Sequence, residues 1–148
     1  MMKLKIPPVV VFALFALLMW VVARHVSFID FRSLYLAVAC LMVGVCVAFA
    51  GVVAFRRART TLNPHRVENS TALVASGIYA FTRNPMYLGL AIMLVGWAFW
   101  QGELLTLLGV VGFMVYITYF QIRPEEQVLK AKFGKSFDEY CHRTRRWL

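Results

Sequence analysis

The groups able to do chemistry in this chain are gathered in two stretches. Only seven Asp and Glu are spread over 148 residues, yet two of them stand side by side in Arg123-Pro124-Glu125-Glu126. A negative first turn complements a helix dipole, but solubility alone is a poor reason for a doubled acid in so acid-poor a sequence. The second stretch reads Thr82-Arg83-Asn84-Pro85-Met86-Tyr87. A residue before proline is driven out of the helical region, and proline suits the first helical position, so Asn84 is expected to cap a helix that begins at Pro85. The free N–H groups and positive dipole end of that helix, beside Arg83, offer a place for an anionic group such as a carboxylate. Arg143 and Arg146 in the tail are further guanidiniums able to hold a carboxylate. His65 and His142 could take a proton near neutral pH. Plainer roles exist for two of these: Arg83 as an interfacial anchor for lipid phosphate, His65 as an ordinary loop residue.

The elements that must position these groups are membrane helices. The hydrophobic set makes up 61% of the residues and charged residues 16%, with a mean hydropathy of +0.68, whereas a soluble domain is about 45–50% apolar and about 25% charged. A net charge of +9 would suit nucleic acid as well as an anionic membrane surface, and the apolar runs decide for the membrane, with no nucleic-acid partner. Those runs cover 7–23, 33–55, 85–100 and 104–122, each near the length that crosses about 30 Å of hydrocarbon. Lys3 and Lys5 ahead of the first run resemble a secretory signal. The run ends Val-Val-Ala-Arg24-His25 without a small-x-small site, so it is expected to be retained. Only Gln101, Gly102 and Glu103 separate the last two runs, which forces an antiparallel hairpin. The expected fold is therefore an all-α integral membrane protein, a single domain over 1–148. It has about four transmembrane helices, an interfacial loop over 56–84 and a tail over 123–148 folded back on the bundle.

Charge gives the orientation. Every Lys and Arg except Arg24 and Arg32 falls on the side shared by the termini and the 56–84 loop, so the positive-inside rule places both termini in the cytoplasm, in what is read as a bacterial inner membrane. Asn69-Ser70-Thr71 is then a glycosylation sequon only formally. No charged residue lies inside the runs, which argues against a transporter or channel and sends any activity to the cytoplasmic interface. Gly44 and Gly51, like Gly89 and Gly96, are seven residues apart, marking helix faces open to close approach. Trp20, Trp97 and Trp100 are expected as interfacial anchors on the outer side. In the tail, Leu129, Phe133, Phe137, Tyr140 and Cys141 form a helical apolar stripe. Gly134 should interrupt it, and Ser136-Phe-Asp-Glu139 reads as a capping box that starts a second short helix. Cys40, Cys46 and Cys141 suggest neither a disulfide nor a thiolate metal site, and no metal is expected.

The ordered series Gly77-Ile78-Tyr79, Arg83-Asn84-Pro85-Met86-Tyr87-Leu88-Gly89, an apolar hairpin, Glu125-Glu126, Phe133-Gly134, Tyr140 and Arg146-Trp147 resembles the isoprenylcysteine carboxyl methyltransferase and phospholipid methyltransferase superfamily of integral membrane enzymes. The likeness runs from about Asn63 to the C-terminus. One departure is visible: many members carry histidine where this chain has Asn84, so a role needing an imidazole does not transfer. The resemblance implies S-adenosylmethionine bound between the cytoplasmic ends of the last two spans and the folded-back tail. Gly77, Tyr79, Asn84, Pro85 and Tyr87 would line that site, with Glu125 or Glu126 on the ribose or ammonium. The residue types agree, since an ammonium and a sulfonium favour carboxylates and aromatic faces, and the cofactor's own carboxylate favours Arg83 and the helix terminus.

The function expected is methyl transfer to a lipid-like or prenyl-like acceptor among the membrane lipids, some of them anionic. A carboxylate acceptor would be held by Arg83, Arg143 or Arg146, and an amine acceptor would need His65 or His142 as base. Two rivals stand beside this reading: an NADPH-dependent enzyme like the sterol reductases, and a non-enzymatic protein that binds lipid or a partner. The acceptor and the oligomeric state are left open.

Overall fold

The structure, a computed structural model, describes residues 6–57 and 73–148. His65 and Asn63 lie outside the described residues. Helix α1 (Pro8–His25) starts at a proline in the first position, where a missing N–H costs nothing. Helix α2 spans Leu34–Arg57, α3 Pro85–Gln101, α4 Leu107–Ile117, α5 Arg123–Phe133 and α6 Lys135–Arg143. Short 3-10 turns over Gly77–Ala80 and Leu104–Thr106 precede α3 and α4, and no strand is present among the described residues. Among the described residues, three helical stretches are long and apolar enough to cross a membrane: Pro8–His25, Leu34–Arg57 and Leu104–Phe133. The fourth apolar helix, α3, has 17 residues.

Polarity is distributed as lipid demands. Side chains such as Val9, Leu17, Tyr35, Val38, Met42 and Phe49 are exposed along α1 and α2. In water such faces would be aggregation sites, and in hydrocarbon they are solvated. With lipid as apolar as the core, close packing must hold the helices together, and the glycines supply it. A Cβ on Gly89 would sit 2.5 Å from the Gly44 carbonyl and 2.8 Å from Ala48 Cβ, and one on Gly96 would meet the Ala37 carbonyl at 2.9 Å. Gly44 and Gly89 thus face each other across α2 and α3, while Gly51 packs against Pro85 and Gly96 against Ala37. Helix α1 closes the other side, where Phe12 and Phe15 meet the fully buried Phe113 edge-on at 6.5 and 6.0 Å between ring centroids.

At the end of the bundle away from the site, the α3–α4 turn is built on Gly102 and Glu103. Gly102 adopts φ 79° and ends α3 in the left-handed region. The Glu103 carboxylate, read from sequence only as part of a linker, accepts the Phe28 N–H at 2.8 Å and the Leu105 N–H at 3.3 Å. It thereby fastens the α1–α2 connection to the hairpin. A Cβ at Gly102 would stand 2.7 Å from Asp30 Oδ1 and 2.8 Å from Arg32 Cβ. Gly102→Ala therefore combines a left-handed backbone with a clash, and is expected to destabilise by about 2 kcal/mol, read as a lower midpoint in detergent melting.

Three expectations change. Trp97 is no interfacial anchor, because its indole N–H donates to the Ala16 carbonyl at 3.0 Å inside the bundle, while Trp20 and Trp100 are exposed. The helix of the fourth run does not end with the run at 122 but continues to Phe133, 30 residues in all. Pro124 has no N–H for the carbonyl four residues earlier and its ring would collide with it, and the π-helical turn at Thr118–Ile122 widens the helix just where that carbonyl falls. Finally, Gly134 does separate the tail helices, at φ 51°, but α6 begins at Lys135 with no side-chain cap, so Ser136 forms no capping box.

Candidate functional site

The site forms where three pieces of chain meet: the Gly77–Asn84 segment leading into α3, the first turn of α5, and the tail after α6. The tail reaches back because α6 buries Phe137 and Tyr140, each 4% exposed, whereas α5 buries nothing fully. The Tyr140 hydroxyl donates to the Tyr79 carbonyl at 2.8 Å. Burial pushes both phenols up from their usual range, so Tyr140 keeps the proton it donates. Beyond α6, residues 144–147 run as a strap across the loop. The Arg83 N–H donates to the Arg145 carbonyl at 3.0 Å, Asn84 Nδ2 to the Arg146 carbonyl at 2.9 Å, and Thr144 Oγ1 to the Ala80 carbonyl at 3.3 Å. Trp147 Nε1 then reaches Thr118 Oγ1 at 3.2 Å, pinning the end of the chain to the π-helical turn.

Two carboxylates sit under this strap in different settings. The Tyr87 hydroxyl donates to Glu125 Oε1 at 2.6 Å, joining α5 to the first turn of α3. Glu126 is held by two guanidiniums: Arg146 Nε and Nη2 grip both its oxygens at 3.1 and 2.6 Å, and Arg83 Nη2 stands 3.2 Å from Oε1. With side chains 13%, 18% and 33% exposed for Arg83, Glu126 and Arg146, water screens this triad only in part. Its net charge is one positive. Arg83 Nε is buried and has no partner among the described residues, an uncommitted donor at the centre of the site.

The sequence-derived candidates are thus gathered unevenly. Arg83, Asn84, Pro85, Tyr87, Glu125, Glu126 and Arg146 come together, with Tyr79 buried next to them. Gly77, at φ 63°, is exposed on the turn that carries Tyr79. Arg143 and His142 are exposed in the last turn of α6 and do not join the cluster. Arg83 and Arg146, read as holders of a carboxylate, grip a carboxylate of the protein itself. Asn84 occupies the N-cap position, but its amide serves the strap instead of the helix N–H groups. Thr82 was missed. It is 1% exposed, and its hydroxyl donates to the Arg146 carbonyl at 3.5 Å and accepts the Asn84 N–H at 3.2 Å. A threonine beside Arg83 carries no local signal of a partner sixty residues away.

An all-helical membrane protein with an acid-and-arginine cluster at one end of its bundle is the class that fold and site define. A match to the phospholipid methyltransferase family covers residues 32–136, more than half of the chain. The chain belongs to that family of integral membrane methyltransferases. It is also 44% identical over 63 residues to an uncharacterised protein of Haemophilus influenzae, covering 43% of this chain and 100% of that one. Over 74 residues it is 35% identical to a Delta(14)-sterol reductase of Mus musculus, which is 49% of this chain but 18% of the reductase. No solved structure matches.

Proposed function

We propose that the protein transfers a methyl group from S-adenosylmethionine to a lipid-like acceptor at the cytoplasmic face of a membrane. The observation that carries this reading is the paired setting of Glu125 on Tyr87 and Glu126 between Arg83 and Arg146, at the helix junction of a chain in a methyltransferase family. The donor set fits the cofactor. Carboxylates and buried tyrosines suit its ammonium and sulfonium, and the free Arg83 Nε suits its carboxylate. When bound, the cofactor would supply an electrophilic methyl group to a lone pair of the acceptor.

The chain's own contribution is positioning and electrostatics. Glu125, fixed by the Tyr87 hydroxyl, presents its carboxyl group to one side of the site. The Arg83–Glu126–Arg146 triad adds a net positive charge on the other and ties down the strap. An amine acceptor must release a proton, and a carboxylate acceptor needs none. Cytoplasmic placement of the site follows from the distribution of Lys and Arg.

Calorimetry with S-adenosylmethionine and, separately, NADPH on detergent-purified protein tests this reading. Saturable binding of S-adenosylmethionine in the micromolar range is expected, weakened about tenfold or more by Glu125→Gln, a loss of about 1.4 kcal/mol. Binding of NADPH alone would instead favour a reductase, the second reading that the sterol reductase likeness supports.

A further inference from the structure

Glu126 carries more positive charge than it needs. Arg146 grips both its oxygens, at 3.1 and 2.6 Å, and Arg83 Nη2 stands 3.2 Å from Oε1. One guanidinium neutralises one carboxylate, so the other is in surplus. Arg83 belongs to the segment that leads into α3, whereas Arg146 is brought in by the tail. Withdrawing Arg146 leaves a neutral Arg83–Glu126 pair and no bare buried charge, the condition under which breaking an ion pair is costly. The strap that carries Arg146 is lightly anchored. Helix α6 is docked by Phe137 and Tyr140, and Thr144, also 4% exposed, ends it in an extended conformation at φ −126° and ψ 129°. No residue beyond Thr144 is buried. The carbonyls of residues 145 and 146 accept from the Arg83 N–H, Asn84 Nδ2 and Thr82 Oγ1, and Trp147 Nε1 donates to Thr118 Oγ1. A segment with polar contacts and little apolar burial opens locally, at lower cost than the helix it follows. Closed, it also leaves Arg83 Nε buried without a partner among the described residues, a cost that an incoming acceptor relieves.

We propose that residues 145–148 are a latch on the candidate site, shut by Arg146 on Glu126 and displaced by a ligand that carries an ammonium and a carboxylate on one carbon. The ammonium takes the Glu126 oxygens that Arg146 vacates, and the carboxylate takes the free Nε of Arg83. Protein and ligand then form a row of four alternating charges with no net charge, where the closed triad had one in excess. The closed strap is a competitor for the site and not one of its walls, so ligand affinity is lowered by the fraction of molecules that are shut. The choice of displacing group rests on the proposed function. The latch itself rests on the geometry of the tail.

Trypsin cleavage after Arg145, followed by mass spectrometry of the full chain in detergent, reads the latch, and calorimetry on the same preparations reads binding. Saturating S-adenosylmethionine is expected to speed that cleavage about threefold or more, as is millimolar L-methionine, with sodium acetate at the same concentration as the control. Arg146→Gln, in which Arg83 still neutralises Glu126, is expected to bind S-adenosylmethionine about threefold or more tightly than the wild type, because the competing cation is gone. An arginine that only supports the site, or that touches the ligand, would give weaker binding instead. Trp147→Phe loses only the bond to Thr118 at the far end of the strap, should shift affinity in the same direction, and takes the place of Arg146→Gln should that variant fail to fold. Ligand that protects the Arg145 bond would overturn the proposal, since the strap would then close over the ligand. Weaker binding in the folded variants would overturn it as well. S-adenosylmethionine that gives no heat, while L-methionine still speeds cleavage, removes the methyltransferase reading and leaves the latch standing. If neither molecule speeds cleavage, the latch falls whatever the calorimetry shows.

Discussion

Glu126→Ala is expected to destabilise the protein by about 3 kcal/mol and to release the C-terminal strap. The substitution leaves the Arg83 and Arg146 guanidiniums facing each other at a site water reaches only in part. Breaking a buried pair by removing one partner costs about 3–5 kcal/mol, and partial exposure here moves the expectation to the lower end. Arg146 would lose both of its oxygen contacts, and the bonds from the Arg83 backbone N–H and the Asn84 side-chain amide to the carbonyls of residues 145 and 146 would open with it. Two measurements check this. The melting midpoint in detergent should fall, and trypsin should cut after Arg143 or Arg145 in the variant at enzyme ratios that spare the wild type. Lys130→Ala gives the contrast, because the Lys130–Asp138 pair is 64% and 45% exposed on its two sides. Its loss should change stability by less than about 0.5 kcal/mol. If both variants melt alike, the triad is no more than a surface ion pair.

The other large effect belongs to the helix interface. Gly89→Val is expected to separate α2 from α3, because even the first added carbon would lie 2.5 Å from the Gly44 carbonyl and 2.8 Å from Ala48 Cβ. Backbone stands on the far side of the first contact and cannot rotate away, so the helices must move. Overpacking ordinarily costs about 1–3 kcal/mol. Here the strain also spreads to Gly96 against Ala37 and Gly51 against Pro85, along the same interface. Since α3 begins at Pro85 and carries Tyr87 in its first turn, the shift should break the Tyr87–Glu125 bond as well. Cofactor affinity should fall by about tenfold or more even though Gly89 touches no site residue. Gly77→Ala tests whether the effect is one of space. No atom lies within 4 Å of its Cβ position, so the φ of 63° alone should cost about 1 kcal/mol.

How much of this was legible beforehand follows from what each feature depends on. The four apolar helices, the short α3–α4 turn and the helix-breaking role of Gly134 were readable because each rests on local composition or on one residue's backbone preference. The facing glycines were readable as faces, though not as partners: spacing shows that Gly44 and Gly51 share a side, but which helix lies against them is a matter of packing. The tail was legible only in part. The apolar run ends at 122, but the helix does not, because a π-helical turn upstream lets it pass through Pro124. Ser136 fits a capping box by spacing, yet the chain had already turned helical at Lys135. Trp97 shows the limit of an averaged rule, since aromatic residues near span ends favour the interface, but this one has a carbonyl on α1 to satisfy its N–H.

The sequence by itself determined that this is a membrane protein and which groups are available for chemistry. Hydrophobic length and charge asymmetry act residue by residue against the bilayer, so no knowledge of contacts is needed to read them. It also marked Arg83, Tyr87, Glu125, Glu126 and Arg146 as unusual in so apolar a chain. Only the tertiary structure decided their pairing, with Glu125 on Tyr87 and Glu126 between two arginines from opposite ends of the site's sequence. Adjacent carboxylates point to different sides of a helix, about 100° apart, and their partners are fixed by how α6 folds the strap back over the loop. That placement depends on the burial of Phe137 and Tyr140 and on backbone hydrogen bonds across sixty residues. Long-range closure of this kind leaves no periodicity in the chain, so it becomes visible only once the helices are packed.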